Sequence, residues 1–203
     1  MQLLTECGPF FAVELHTVAP PAPWRPLTEL AGSAELAGWV RRVRASLGSE
    51  LRVAASVAQL GLTARLLSPV LGAAVRHGAL LELGAGYWQT PLSSTLALSL
   101  PAPRHPVTAE ALARLVSHGP VVEVTAAIGR YGPVSPRVLA GNLASAVNGA
   151  ACQLGPAALS VARDLLAGIP GEDGVLGPHF RRRSCCLRYR VAGLGYCGDC
   201  VLG

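Results

Sequence analysis

The chain has 203 residues, of which 51% are hydrophobic and 14% are charged, and its formal net charge is +5. So many apolar side chains exclude a disordered chain, and the length suffices for one substantial core. All 17 basic residues are arginines, but a surplus of this size does not by itself indicate a nucleic-acid-binding protein. We therefore expect a folded, helix-rich protein without nucleic acid as a partner.

Two features indicate the location of the protein. Glu6 and Glu14 interrupt the N-terminal residues, which lack the basic region, apolar run and cleavage site of an export signal. The most apolar segment, 53–75, contains Gln59 and Arg65, whereas a bilayer span needs about 20 nearly uninterrupted apolar residues. We predict a cytoplasmic protein with at most a peripheral association with the inner face of the membrane.

The N-terminal third predicts a strand followed by a helix. Residues 9–18 alternate apolar and polar side chains toward their end, and the proline-rich segment 20–26 cannot continue a strand or helix, so we expect an edge strand and a linker. Ser33 is a typical N-cap, and the apolar spacing after it predicts a helix that ends at Gly48.

Segment 52–77 predicts a central helix, because its apolar residues cover all sides at helical spacing. Pro69 is expected to kink this helix and Gly78 to end it. The short apolar runs 79–83 and 92–100 predict two strands that form a small antiparallel hairpin.

The second half of the chain predicts three helices. The first covers 109–117, the second begins after the cap Ser135 and reaches Gly155, and the third covers 156–167. Polar residues within the predicted helices are expected either to form hydrogen bonds between helices or to line a surface near the C-terminal cysteines; they are Arg65, Ser68, Asn142, Ser145 and Asn148. A loop rich in glycine and proline, 169–179, follows. We predict an α+β fold that is mainly α-helical.

The most informative motif is a group of four cysteines spaced C-C-x10-C-x2-C, namely Cys185, Cys186, Cys197 and Cys200. In a reducing cytosol, four clustered thiols are better explained as metal ligands than as disulfides. We divide the chain into a helical domain, 1–178, and a cysteine tail, 179–203, that binds the metal. The other cysteines, Cys7 and Cys152, are expected to be buried free thiols.

The spacing leaves two kinds of metal site open. A structural zinc site usually has two C-x2-C-like pairs, whereas the vicinal Cys185 and Cys186 point in different directions and favour a two-iron cluster.

Five arginines flank these cysteines, and they predict either a docking surface for an acidic or anionic partner or a solvated basic rim. They are Arg181, Arg182, Arg183, Arg188 and Arg190.

The tail sequence GPHFRRRSCCLRYRVAGLGYCGDCVL resembles the C-terminal signature of the FhuF-like siderophore-iron reductase family. Two helical segments, SVAQLGLTARLLSPVLGAAVRHG and GNLASAVNGAACQL, resemble the same family. The resemblance implies that Cys185, Cys186, Cys197 and Cys200 bind a [2Fe-2S] cluster. It also implies a cytoplasmic oxidoreductase that reduces imported ferric siderophores, often hydroxamates.

The expected chemistry is the transfer of one electron to Fe(III), because the hard oxygen donors of a siderophore hold Fe(II) far less tightly. We expect a monomer that takes electrons from an acidic donor such as ferredoxin or flavodoxin. Two alternatives remain: an iron-sulfur sensor that binds DNA through its arginines, although no helix-turn-helix is evident, and a structural zinc protein that acts through partners.

Overall fold

The computed structural model of the chain describes residues 2–91, 96–169 and 176–203. Helices dominate these residues: α1 Ala34–Leu47, α2 Leu51–His77, α3 Ala109–Ser117, α4 Pro120–Tyr131, α5 Pro136–Leu154 and α6 Ala158–Leu166. Helix α2 is the centre of the fold and packs against α1, α4, α5 and α6. The fold is therefore α+β and mainly helical, as the sequence predicted.

Helix α2 is long and apolar enough to cross a membrane by length and composition, but 78% of its most apolar window is buried inside the protein. This confirms the prediction of a buried core helix. Pro69 lies within α2 without ending it, and Gly78 caps its C-terminus with a φ of 60°. The kink expected at Pro69 remains a prediction.

A five-stranded mixed sheet packs beside the helices. Its strands are β1 Gln2–Leu3, β2 Val13–His16, β3 Arg25–Pro26, β4 Tyr87–Gln89 and β5 Ala97–Pro101. The strand order is β1-β2-β5-β4-β3, in which β2 and β5 are parallel and the other neighbours are antiparallel. The connection between β1 and β2 contacts the C-terminal half of α2, where Leu4 and Phe11 lie against Gly72.

The prediction of an edge strand in residues 9–18 was wrong. Strand β2 lies inside the sheet, because β1 covers one side of it and β5 the other. The edges are the two-residue strands β1 and β3, and β3 belongs to the proline-rich segment that we expected to be a linker. Pro26 is compatible with an edge because it has no N–H to donate to a further strand.

The predicted hairpin was placed wrongly. Its first strand is β4, which lies in the segment expected to be the connection, and Trp88 stands opposite Leu98 of β5. Segment 79–83 forms only an isolated bridge between Leu80 and Arg104. Trp88 is completely buried, so the sheet gains a large apolar side chain from this register. Residues 92–95 of the predicted second strand lie outside the described residues.

Local signals correctly predicted the ends of several helices. Ser33 Oγ accepts a hydrogen bond from the Leu36 N–H at the start of α1, and Ser135 Oγ does the same for Val138 at the start of α5. Helix α4, which begins at Pro120, was not predicted. At this first helical position the absence of an N–H costs nothing.

Candidate metal centre

The fold brings the four thiols of the cysteine tail together. The Sγ atoms of Cys186 and Cys197 are 3.5 Å apart, and the Cys185 thiol lies close enough to Cys200 to interact with it. Cys186 and Cys200 are each 2% exposed, whereas Cys185 and Cys197 are partly exposed. The vicinal cysteines therefore face different partners, and one side of the group is accessible to solvent.

Backbone N–H groups point at two of the sulfurs. The Leu187 N–H donates to Cys185 Sγ at 3.3 Å, and the Leu202 N–H donates to Cys200 Sγ at 3.4 Å. Leu187 has a φ of 68°, a left-handed conformation that is unfavourable for a leucine. Hydrogen bonds of this kind stabilise the negative charge of a metal-bound thiolate.

In the protein without metal, burial raises the pKa of the Cys185 and Cys197 thiols above the ordinary value. Hydrogen bonding and electrostatic repulsion from Cys186 raise the pKa of Cys197 further. These thiols keep their protons near neutral pH. Metal binding must therefore displace these protons, so the affinity of the site for metal depends on pH.

The donor set fits an iron-sulfur cluster bound by thiolates. Two sulfurs at 2.3 Å from one tetrahedral metal are about 3.8 Å apart, close to the 3.5 Å between Cys186 and Cys197. Among residues 2–91, 96–169 and 176–203, no three His, Cys, Asp or Glu side chains surround a single metal position. The thiols instead approach each other as two pairs, Cys186 with Cys197 and Cys185 with Cys200.

A chain of buried hydrogen bonds fixes Cys186 to α2 and α5. Ser56 Oγ of α2 donates to the Cys186 carbonyl oxygen at 2.8 Å. The Asn142 side chain of α5 donates to Ser56 Oγ at 3.1 Å and accepts a hydrogen bond from Arg182 Nη2. The tail is thus anchored to the helices by polar groups that water does not reach.

Helix α5 provides further anchors to the tail and the loop before it. Ser145 Oγ donates to the carboxylate of Asp199, and Asn148 exchanges two hydrogen bonds with the backbone of Gly177, at 2.7 and 3.3 Å. We expected such polar residues either to connect helices or to line a surface near the cysteines. In the structure Asn142 alone reaches another helix, and all three of these residues also bind the segment that follows α6.

The remaining two polar residues of this group, Arg65 and Ser68, do not connect helices. Arg65 donates to the carbonyl oxygens of Phe10, Ala12 and Leu96 beside the sheet, and burial lowers its pKa to about 10. Ser68 donates to the Ala64 carbonyl oxygen within α2.

The flanking arginines differ in position. Arg182 is 1% exposed, so its side chain lies inside the protein and not on the docking surface that we predicted. Arg181 and Arg188 donate to the carbonyl oxygens of Gly198 and Tyr196, both at 2.9 Å, and Arg190 forms an ion pair with Glu50 at 3.3 Å. Arg183 is exposed. These four arginines form a basic rim, and two of them also stabilise the tail backbone.

Sequence reasoning missed a group of exposed apolar side chains on the tail, which we term the apolar patch. Its members are Tyr189, Leu194, Tyr196, Val201 and Leu202, exposed by 38 to 57%. The rings of Tyr189 and Tyr196 contact each other with centroids 6.1 Å apart. Exposed apolar groups of this kind mark interaction sites more often than chance.

The other cysteines lie apart from the site. Cys152 is exposed near the end of α5 and Cys7 is partly buried, so the prediction that both are buried was wrong.

Two cavities lie away from the tail. One of about 510 Å³ is lined by Glu82, Arg104 and Arg114, and one of about 500 Å³ is lined by His16 and Tyr87. The first is bounded by residues that follow the end of α2, some twenty residues beyond Ser56. At 1.5 Å per helical residue, the end of α2 lies roughly 30 Å from Ser56 along the helix.

The cysteine tail is thus a thiolate site built for an iron-sulfur group. Residues 182–202 match the family model described as the FhuF 2Fe-2S C-terminal domain. All four cysteines lie in this segment, so the match confirms the family resemblance of the motif and indicates a [2Fe-2S] cluster as the cofactor. No curated protein matches the chain. The division into domains 1–178 and 179–203 remains a prediction.

Proposed function

We propose that the protein is a cytoplasmic ferric-siderophore reductase that acts on hydroxamate-type substrates and releases Fe(II). The main support is the group of four converging thiols within a segment that matches the FhuF 2Fe-2S C-terminal domain. A bound [2Fe-2S] cluster supplies one electron at a time. Fe(II) is a softer ion than Fe(III), and it leaves the hard oxygen donors of the siderophore more readily.

The exposure of the thiols favours reduction at the protein surface. Cys186 and Cys200 are buried against the helices, while Cys185 and Cys197 are partly exposed. Neither of the two cavities described above is lined by a residue of the tail, so neither exposes the thiols. We propose that the siderophore contacts the outer face of the tail near Cys185 and Cys197, with the buried pair fixed behind it.

The direct test is a single-turnover reduction under anaerobic conditions. Protein purified without oxygen and analysed for iron, sulfide and zinc is reduced, freed of reductant, and mixed with a ferric hydroxamate and a ferrous chelator. We expect the visible absorption of the oxidised cluster to return as about one Fe(II) per chain is captured. Reduced protein that keeps its electron would contradict the proposal, and colourless protein with one zinc would favour a structural zinc site.

We further propose that the electron donor is a small acidic protein such as ferredoxin or flavodoxin, which docks as the protein's partner on the apolar patch. The patch lies within the segment that carries the thiols. The basic rim of Arg181, Arg183, Arg188 and Arg190 adjoins it, since Arg188 and Arg181 donate to the backbone of Tyr196 and Gly198. An apolar centre with a charged rim is the usual organisation of such an interface. The positive rim is complementary to an acidic carrier. We propose that the protein itself acts as a monomer.

A negative charge in the apolar patch is expected to weaken this docking. For Leu194→Asp we expect the KM for a reduced acidic ferredoxin to rise about tenfold, since the new carboxylate repels the donor and is desolvated in the interface. The matched control is Val18→Asp, because Val18 is 76% exposed and lies after β2, outside the tail. Reduction by dithionite should be the same in both variants. Equal KM values for ferredoxin would rule out docking on this patch.

A further inference from the structure

The least satisfied polar group near the thiols is the guanidinium of Arg182. Its side chain is 1% exposed; Nε donates to the Ser184 carbonyl oxygen at 3.1 Å, and Nη2 donates to Asn142 Oδ1. Nη1 is buried without a hydrogen-bond partner. In the described part of the chain, no carboxylate forms an ion pair with Arg182. The protein therefore holds a positive charge in its interior with one donor unused.

The contacts of Arg182 join it to residues adjacent to two of the four cysteines. Its N–H donates to the carbonyl oxygen of Asp199, the neighbour of Cys200, and its Nε bonds to the neighbour of Cys185. Through Asn142 and Ser56 it is also linked to the carbonyl oxygen of Cys186. The carboxylate of Asp199, the acidic residue beside Cys200, accepts a hydrogen bond from Ser145. Arg182 is thus bonded to the residues that precede Cys185 and Cys200, and two intervening side chains link it to Cys186.

A buried cation without a counter-charge is unfavourable unless an anion lies close to it. A cluster held by four thiolates carries a net negative charge, and the electron it accepts makes it more negative. The cation then stabilises the reduced form more than the oxidised form. We propose that Arg182 is the counter-charge of the cluster and raises its reduction potential. This proposal rests on the [2Fe-2S] site of the proposed function but not on its substrate.

The test is a spectroelectrochemical titration of the cluster-loaded protein, followed by visible absorption without siderophore. Arg182→Gln removes the charge but keeps a polar side chain. For this variant we expect the one-electron equilibrium to shift at least tenfold toward the oxidised form, which lowers the reduction potential of the cluster by at least 59 mV. Arg182→Lys keeps the charge and should recover most of this shift. An unchanged potential in a cluster-loaded Arg182→Gln protein would overturn the proposal.

If Arg182→Gln does not retain the cluster, Asn142→Asp decides the question. This variant keeps an oxygen that accepts from Arg182 Nη2 and places a negative charge against the guanidinium. The reduction potential of the cluster should therefore fall, as in Arg182→Gln. An unchanged potential in this variant would overturn the proposal.

The matched control is Arg65→Gln. Arg65 is also a buried arginine, but it lies in α2 and bonds only to backbone carbonyls beside the sheet. Its loss should lower the melting temperature and leave the potential of the cluster unchanged. An equal shift in both arginine variants would show a general effect of instability and overturn the specific role of Arg182. Because no step of this titration involves a siderophore, its result is independent of whether the protein reduces one.

Discussion

Replacing Cys197 with serine is expected to remove the iron-sulfur absorption and to lower the rate of ferric-hydroxamate reduction by at least about 100-fold. Cys197 lies 3.5 Å from Cys186, and a serine hydroxyl is a poor ligand for iron compared with a thiolate. The measurements are iron and sulfide content, visible absorption and the rate of Fe(II) capture, all on anaerobically purified protein.

The control for this prediction is Cys152→Ser, which makes the same chemical change at an exposed cysteine outside the tail. Its iron content and reductase rate should equal those of the unaltered protein. Full activity in Cys197→Ser would show that the electron does not pass through this site, whereas an equal loss in both variants would point to a general effect of thiol removal.

The second large effect is expected from Gly141→Val in α5. A Cβ atom at position 141 would lie 2.3 Å from Ser184 Oγ and 3.5 Å from Arg182 Nη2, so any side chain here pushes against the tail. Overpacking of this kind costs roughly 1–3 kcal/mol, and the cost falls on the contact that holds Cys185 and Cys186 in place. We expect iron to be lost to a chelator about tenfold faster, as measured by the decay of visible absorption.

Helix α5 offers a matched control for this change. Gly149 lies in the same helix, and a Cβ atom there meets nothing within 4 Å. Gly149→Val introduces the same β-branched residue with a similar cost in helix propensity, but without contact to the tail. Iron release from Gly149→Val should match that of the unaltered protein. The same rate in both variants would mean that the close contact at Gly141 does not hold the site together.

Features determined by near neighbours in the sequence could be predicted well. The caps at Ser33 and Ser135 and the glycine at 78 act through bonds within a few residues, so their helices were correctly placed. The family of the cysteine tail was also evident, because the spacing of the four cysteines is itself the signal.

Features determined by distant contacts could not be predicted. The register that buries Trp88 depends on pairing with Leu98, and the interior position of β2 depends on a parallel pairing with β5 across the length of α2. The burial of Arg182 likewise follows from its hydrogen bond to Asn142, forty residues earlier in the chain. In the sequence it is one of three consecutive arginines, and nothing local separates it from its exposed neighbours.

The anchoring of the tail by Ser56, Asn142 and Ser145 also orders the events of biogenesis. The partners of the tail belong to α2 and α5, which are synthesised before the four cysteines. Cofactor insertion therefore follows the synthesis of the helices that hold its ligands in place.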